Sequence, residues 1–235
     1  MLRKYKIKNT NYIKLSKKKV EDNFFSLSKF LDEPLGDSSI LPTYSLFKYA
    51  KKKKEKLVIG GDGGDESFFG YIIFDALYIA SIIKKIFPKF VLNFLKNITS
   101  NLKESRDYMD FSFKIKKFFN GLNQNLLNLP DIWMSSLDEN EFSDYFSSKK
   151  KNYIENFFKK KENLKKNKFM KNMQIYFFKY YLSNVLKKVD RGSMYNSIEY
   201  RAPLLSKNII NYGINKKNKF RFFKKKYNLR KVSKQ

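Results

Sequence analysis

Four glycines in five positions constrain this chain more than any other feature. Gly60-Gly61-Asp62-Gly63-Gly64 follows directly on a short β-type run, Lys56-Leu57-Val58-Ile59. Glycine clustered like this serves a backbone with unusual dihedrals or a very close approach to another group. Beyond Asp65-Glu66, Phe68 to Ile83 carries the apolar spacing of a helix. Strand, glycine loop and helix in that order set backbone donors at the carboxyl end of a parallel strand. Two carboxylates, Asp62 and Asp65, stand inside the loop. Carboxylates do not cradle phosphate themselves, but they suit a divalent metal that bridges phosphate oxygens, or a base beside a nucleophile. The same residues also read as a plain Gly/Asp turn, and spacing alone leaves both readings open.

What the chain lacks narrows the chemistry. Its 235 residues include neither Cys nor His. That removes disulfides, thiolate metal sites, the commonest general base and the commonest zinc ligand. Catalysis, if present, runs on carboxylates, Lys, Arg, hydroxyls, backbone donors and a hard metal ion. The length fits one domain, and 24 Phe with 16 Tyr predict a largely aromatic core.

The net charge of +28 is concentrated late, with 26 basic and 4 acidic side chains over residues 147–235. Such a block can attract nucleic acid or an anionic surface. Here, however, the Lys runs (17–19, 51–54, 149–151, 159–161) are scattered and match no nucleic-acid signature. They read as a lysine-rich composition over an ordinary fold, with nucleic acid not expected as a partner. The start has no apolar core of a secretory signal. The apolar stretch Tyr71–Ile83, interrupted by Asp75, is shorter than the roughly 20 residues a membrane span needs. The expectation is a soluble, cytoplasmic chain without a membrane partner.

Along the chain, Asn11–Leu15 alternates like a strand and Val20–Leu31 has helical spacing. Pro34 then disfavours helix at Glu33 and breaks the run. Asp37-Ser38-Ser39 offers N-cap residues to a helix over Tyr44–Lys52, with Pro42 near its first turn. From Pro88 the pattern is helical almost throughout: Phe90–Leu95, Tyr108–Leu122, Glu141–Phe146, Tyr153–Leu164 and Met173–Lys188. Lys149–Lys168 is a Lys- and Asn-rich patch. Asp190–Leu205 is compact and polar, and Phe222–Lys234 reads as a basic C-terminal helix.

Four motifs then carry a resemblance. Leu57 to Tyr71, with its Gly-Gly-Asp-Gly-Gly-Asp-Glu core, resembles the signature loop of asparagine synthetases. Asp32-Glu33-Pro34 to Tyr44 is similar to the run before that loop. Lys188 to Met194, followed by Ser197 to Leu205, is similar to the second signature, and Lys226-Tyr227-Asn228-Leu229-Arg230 to a Lys-x-x-Leu-Arg near the domain's end. In this order they cover nearly the whole chain, which is identified as the C-terminal part of a glutamine-hydrolysing asparagine synthetase's synthetase domain. The resemblance implies an α/β fold: a partial adenine-nucleotide alpha hydrolase-like (PP-loop ATPase) parallel sheet with a largely helical C-terminal half, one partial domain over residues 1–235. It implies a ligase that uses ATP and Mg²⁺ to activate the aspartate side-chain carboxylate, ammonia then displacing AMP. Carried across, Gly60 and Gly61 contact the nucleotide through backbone groups, Asp62 serves adenylate chemistry, Asp65 ligates Mg²⁺ and Lys226 neutralises pyrophosphate.

The departures are also informative. Gly60 stands where the family's loop opens with Ser. Ser67, Phe69, Tyr195 and Ser206 also depart from the pattern. The glutaminase half needs a Cys, and the phosphates need a Ser-Gly-Gly-x-Asp-Ser loop; neither occurs here. The expectation is therefore a truncated or split enzyme, inactive alone, whose partner supplies the N-terminal half. An amidotransferase for another carboxylate, or a basic binding protein on the same scaffold, are the alternatives.

Overall fold

In this computed structural model the described residues are 10–33, 35–103, 110–135, 169–215 and 221–233. Pro34, the helices expected over Glu141–Phe146 and Tyr153–Leu164, and the Lys149–Lys168 patch lie outside them. In chain order the elements are α1 (Lys17–Ser28), α2 (Ile40–Lys52), β1 (Leu57–Ile59), α3 (Gly64–Phe68), α4 (Ile72–Ile86), α5 (Lys89–Ser100), α6 (Phe111–Gly121), α7 (Leu129–Met134), α8 (Phe169–Tyr176), α9 (Leu182–Tyr195), β2 (Glu199–Arg201), α10 (Lys207–Asn215) and α11 (Tyr227–Val232). A π-helical turn, Phe177–Tyr181, joins α8 to α9. The result is mostly helical with a small parallel sheet, as the α/β reading expects. The chain divides into two units, Met1–Gly63 with Phe178–Ile210, and Gly64–Phe177 with Asn211–Gln235.

In the first unit, Ser16 caps α1 by accepting the Lys19 N–H. Asp37 prepares α2, its Oδ1 accepting both the Ser39 N–H (2.9 Å) and the Ser39 hydroxyl (2.6 Å). Leu27 of α1 packs with Ile40 and Tyr44 of α2, and the buried Asn23 amide donates to Ser45 Oγ at 2.7 Å. A second cluster joins Phe47 and Ala50 of α2 to Val189 of α9 and to Ile198. Over it lie Val58 and Tyr200, paired in the parallel register Leu57↔Glu199, Val58↔Tyr200, Ile59↔Arg201. Alternation along a strand sends the other residues of both strands to the opposite face, and Leu57, Ile59, Glu199 and Arg201 are exposed. Asn11–Leu15 forms no strand: among the described residues no segment pairs with it, and the Tyr12 ring is exposed. The polar segment Asp190–Leu205 contains β2, hidden in the sequence because only one of its three residues is covered.

Basic residues of α9 hold Asp32, Glu33 and Asp37. Lys187 pairs with Glu33 (2.8 Å), Arg191 with Asp32 (2.8 Å), and Lys188, largely covered, with Asp37 (3.0 Å) and Ser39 Oγ (2.8 Å). Burial raises the Asp37 pKa, but the hydrogen bonds from Ser39 and Lys188 outweigh it and leave the carboxyl below its ordinary 3.8. A carboxylate whose pKa is lowered by folding stabilises fully above its unfolded value, and that stability is lost as pH falls through the folded value. Lys188→Ala is expected to cost about 1–2 kcal/mol at neutral pH. Asp37→Asn is expected to make melting temperature less sensitive to acid below about pH 4. Melting curves from neutral pH to about pH 2.5 check both, and a wild-type acid slope that survives in Asp37→Asn contradicts the assignment.

The second unit corrects a longer element. The helix expected from Phe68 to Ile83 is broken: α3 ends at Phe68, Phe69 takes a left-handed backbone (φ 53°), and α4 begins at Ile72. Taken through that break, residues 64–86 are long and apolar enough by length and composition to cross a membrane. Phe74, Leu77 and Ala80 are nevertheless fully buried in this unit, which makes α4 a core helix. Its core is aromatic, as the composition predicts. Phe74 meets Phe69 edge-on at 5.1 Å and Phe177 at 4.9 Å, and Tyr71 meets Phe177 at 5.7 Å. Lys84 Nζ donates to the Leu122 and Gln124 carbonyls just past α6 (2.5 and 2.6 Å), where cations suit a helix C-terminus. The C-terminal helix is shorter than expected. It begins at Tyr227, because Phe223 (φ 55°) and Lys226 (φ 50°) are left-handed and residues 221–226 turn instead.

Candidate functional site

The boundary between the units falls inside the glycine loop, after Gly63, and the two halves hold different carboxylates.

In the first unit, Gly60 extends the ladder one residue past β1, its N–H donating to the Arg201 carbonyl at 2.9 Å. That donor is therefore already engaged. A Cβ at Gly60 would run into the Tyr200 phenol, so the position requires glycine while Tyr200 lies there. Nothing lies within 4 Å of a Cβ built at Gly61, which leaves room for another group to approach. Gly63 is required twice over, by φ +85° and by the Leu205 side chain against it. Between them, Asp62 Oδ2 accepts the Tyr200 hydroxyl at 2.6 Å. Burial, and then that bond, push the Tyr200 phenol well above its ordinary pKa. Tyr200 is thus a protonated donor locked on Asp62. Sequence reasoning passed over it, because only the β1–β2 register brings residue 200 to residue 62.

In the second unit, Lys226 Nζ lies 2.8 Å from Asp65 Oδ2, both side chains about 30% exposed. The two motif residues, 161 positions apart, are brought into direct contact. Gly70 makes room for the pair: a Cβ there would strike both Asp65 Oδ1 and Lys226 Cε. Phe69, beside it, carries a positive φ (53°) itself. The loop is fastened from behind by Gln174 of α8, 1% exposed, whose amide donates to the Glu66 and Ser67 carbonyls at 2.9 and 2.8 Å. Buried Glu66 in turn accepts the Tyr71 hydroxyl at 2.6 Å. Gln174 and Tyr71 were also missed; Gln174 had no local signal, since the carbonyls it binds lie 39 to 108 residues away.

Among the described residues no group of three or more His, Cys, Asp or Glu gathers to form a protein cage for a metal. Asp65 still fits the magnesium habit of one or two carboxylates with phosphate oxygens and water completing the shell. It is a carboxylate about one-third exposed with one oxygen held by an amine, and it would take the ion only together with a phosphate group.

The asparagine synthase model matches residues 1–235. The chain belongs to the asparagine synthase family. One curated relative, named "Putative asparagine synthetase [glutamine-hydrolyzing] 2" in Methanocaldococcus jannaschii, is 34% identical over 175 residues, covering 69% of this chain and 30% of the relative. The family member described here thus spans about a third of that relative's length. No solved structure matches it.

Proposed function

We propose that this family member amidates the side-chain carboxylate of aspartate to asparagine, in the cytoplasm, as the C-terminal part of a synthetase domain of the PP-loop ATPase type. The observation that carries the reading is the Asp65–Lys226 pair, a carboxylate and an amine from two distant motifs meeting beside a glycine that leaves them room. In the reaction the aspartate carboxylate oxygen attacks the α-phosphorus of ATP. The O–P bond forms as the bond to the β-phosphate oxygen breaks, and pyrophosphate leaves. Ammonia then forms the C–N bond at the acyl carbon, AMP departs with the former carboxylate oxygen, and the nitrogen gives up a proton. Bound Mg²⁺ would screen the phosphate charge, with Asp65 as its protein ligand.

Lys226 neutralises charge as pyrophosphate forms. Its pairing with Asp65 keeps the amine in place before any phosphate arrives, and Gly61 lets the nucleotide approach the backbone. Tyr200 holds Asp62 in one orientation for its role in forming or consuming the adenylate.

The 235 residues contain no Cys and no Ser-Gly-Gly-x-Asp-Ser loop, so glutamine-derived ammonia and a phosphate cradle must come from elsewhere. The reading assigns both to an N-terminal half. The β1–β2 pair supports that partner: parallel sheets are normally covered on both faces, and here one face, with Leu57 and Ile59, is exposed. Complementation tests it. The purified chain, combined with a chain carrying the glutaminase and the phosphate loop, is expected to make asparagine from aspartate, ATP and ammonia, releasing AMP and pyrophosphate. A complex that assembles and makes no amide from aspartate overturns the assignment.

A further inference from the structure

Lys226 is presented by a turn with little regular support. Residues 221–226 precede α11, and two of them, Phe223 and Lys226, are left-handed, a conformation that side-chain-bearing residues hold only when their surroundings impose it. Three bonds reach back from this turn to α3 and α4. The Lys226 N–H donates to the Phe68 carbonyl (3.1 Å), the Lys226 amine pairs with Asp65, and the Phe223 N–H donates to Asp75 Oδ1 (3.0 Å).

Asp75 is unusual among the three partners. It is 4% exposed in the first turn of α4, and its Oδ2 has no hydrogen-bond partner. A buried, half-satisfied carboxylate is costly. The helix N-terminus lessens the penalty for negative charge there, but it does not direct the carboxylate at Phe223. A purely structural position would be better filled by an apolar side chain. What Asp75 alone supplies is a strong acceptor where a left-handed Phe223 needs one.

We propose that Asp75 is a positioning residue: by accepting the Phe223 N–H it fixes the turn that presents the Lys226 amine to Asp65. Its functional meaning rests on the role given to Lys226 above; the positioning itself does not. Asp75→Asn keeps the acceptor and removes the buried charge, so the fold is retained. Asp75→Ala removes the acceptor.

Amide hydrogen exchange on the wild-type chain comes first. Phe223 is expected to be protected although it lies in an irregular turn, and a fully exchanging Phe223 amide overturns the proposal without any variant. In Asp75→Ala that amide is expected to exchange about tenfold faster or more, whereas Asp75→Asn stays close to wild type. Equal protection in all three proteins also overturns it. Titration with inorganic pyrophosphate and Mg²⁺ supplies the functional readout. Affinity is expected to fall about tenfold in Asp75→Ala and to be restored within about twofold in Asp75→Asn, at similar melting temperatures. If wild type takes up no pyrophosphate yet the exchange pattern holds, Asp75 is a positioning residue and the pyrophosphate role of Lys226 falls.

Discussion

In the complex proposed above, Lys226→Ala is expected to lower the rate of asparagine formation about 10²–10³-fold, the scale seen when one preorganised electrostatic group is removed from a developing charge. Stability is expected to change little. The pair it forms with Asp65 is about one-third exposed on both sides, and such pairs contribute about 0–1 kcal/mol. That separation between a large kinetic and a small thermodynamic effect makes the measurement decisive. Steady-state rates at saturating aspartate, ATP and ammonia are compared with melting temperatures of the same preparations. A rate loss below about threefold contradicts the charge-neutralising role. A rate loss that tracks a large fall in melting temperature would make the lysine structural instead.

The second large effect falls at Gly60. Placing there the Ser that the resemblance leads one to expect, Gly60→Ser, is expected to destabilise this chain by about 1–3 kcal/mol, the usual cost of forcing atoms into filled space. The new Cβ would overlap the Tyr200 phenol, and the ring cannot easily leave: it sits edge-on to Phe47 at 5.9 Å and is bonded to Asp62. Gly60→Ala should cost about as much, because the clash is with Cβ and not with a hydroxyl. Tyr200→Ala removes the obstacle, so Gly60→Ser added to Tyr200→Ala should cost almost nothing further. That coupling is measured by a double-mutant cycle on denaturation free energies. Additive costs would mean that residues 60 and 200 do not share the space.

What the sequence reveals is what is local. The loop was visible because glycine density and its two carboxylates are read within seven residues, and β1 because the apolar run beside it is short and β-branched. Pairings that depend on register or on distant chain were not visible. Tyr200 looks like one more residue of a polar segment until β2 lies parallel to β1 and sets it opposite Val58. Asp75 looks like an interruption in an apolar helix until Phe223, 148 residues later, needs an acceptor. Two errors share a cause. Asn11–Leu15 alternates like a strand, but alternation without a partner strand gives none. Phe68–Ile83 has helical spacing, but room for the Asp65–Lys226 contact breaks it at Phe69 and Gly70.

The left-handed backbone at Lys226 sets two selective pressures against each other. A lysine with φ near +50° sacrifices about 1 kcal/mol that glycine would not. Lys226→Gly is therefore a natural thermostabilising substitution at this position, and it deletes the amine. Laboratory evolution for heat resistance would drive residue 226 toward glycine or asparagine, while the role proposed for the amine would hold it at lysine. On that role, position 226 is where robustness and turnover part company.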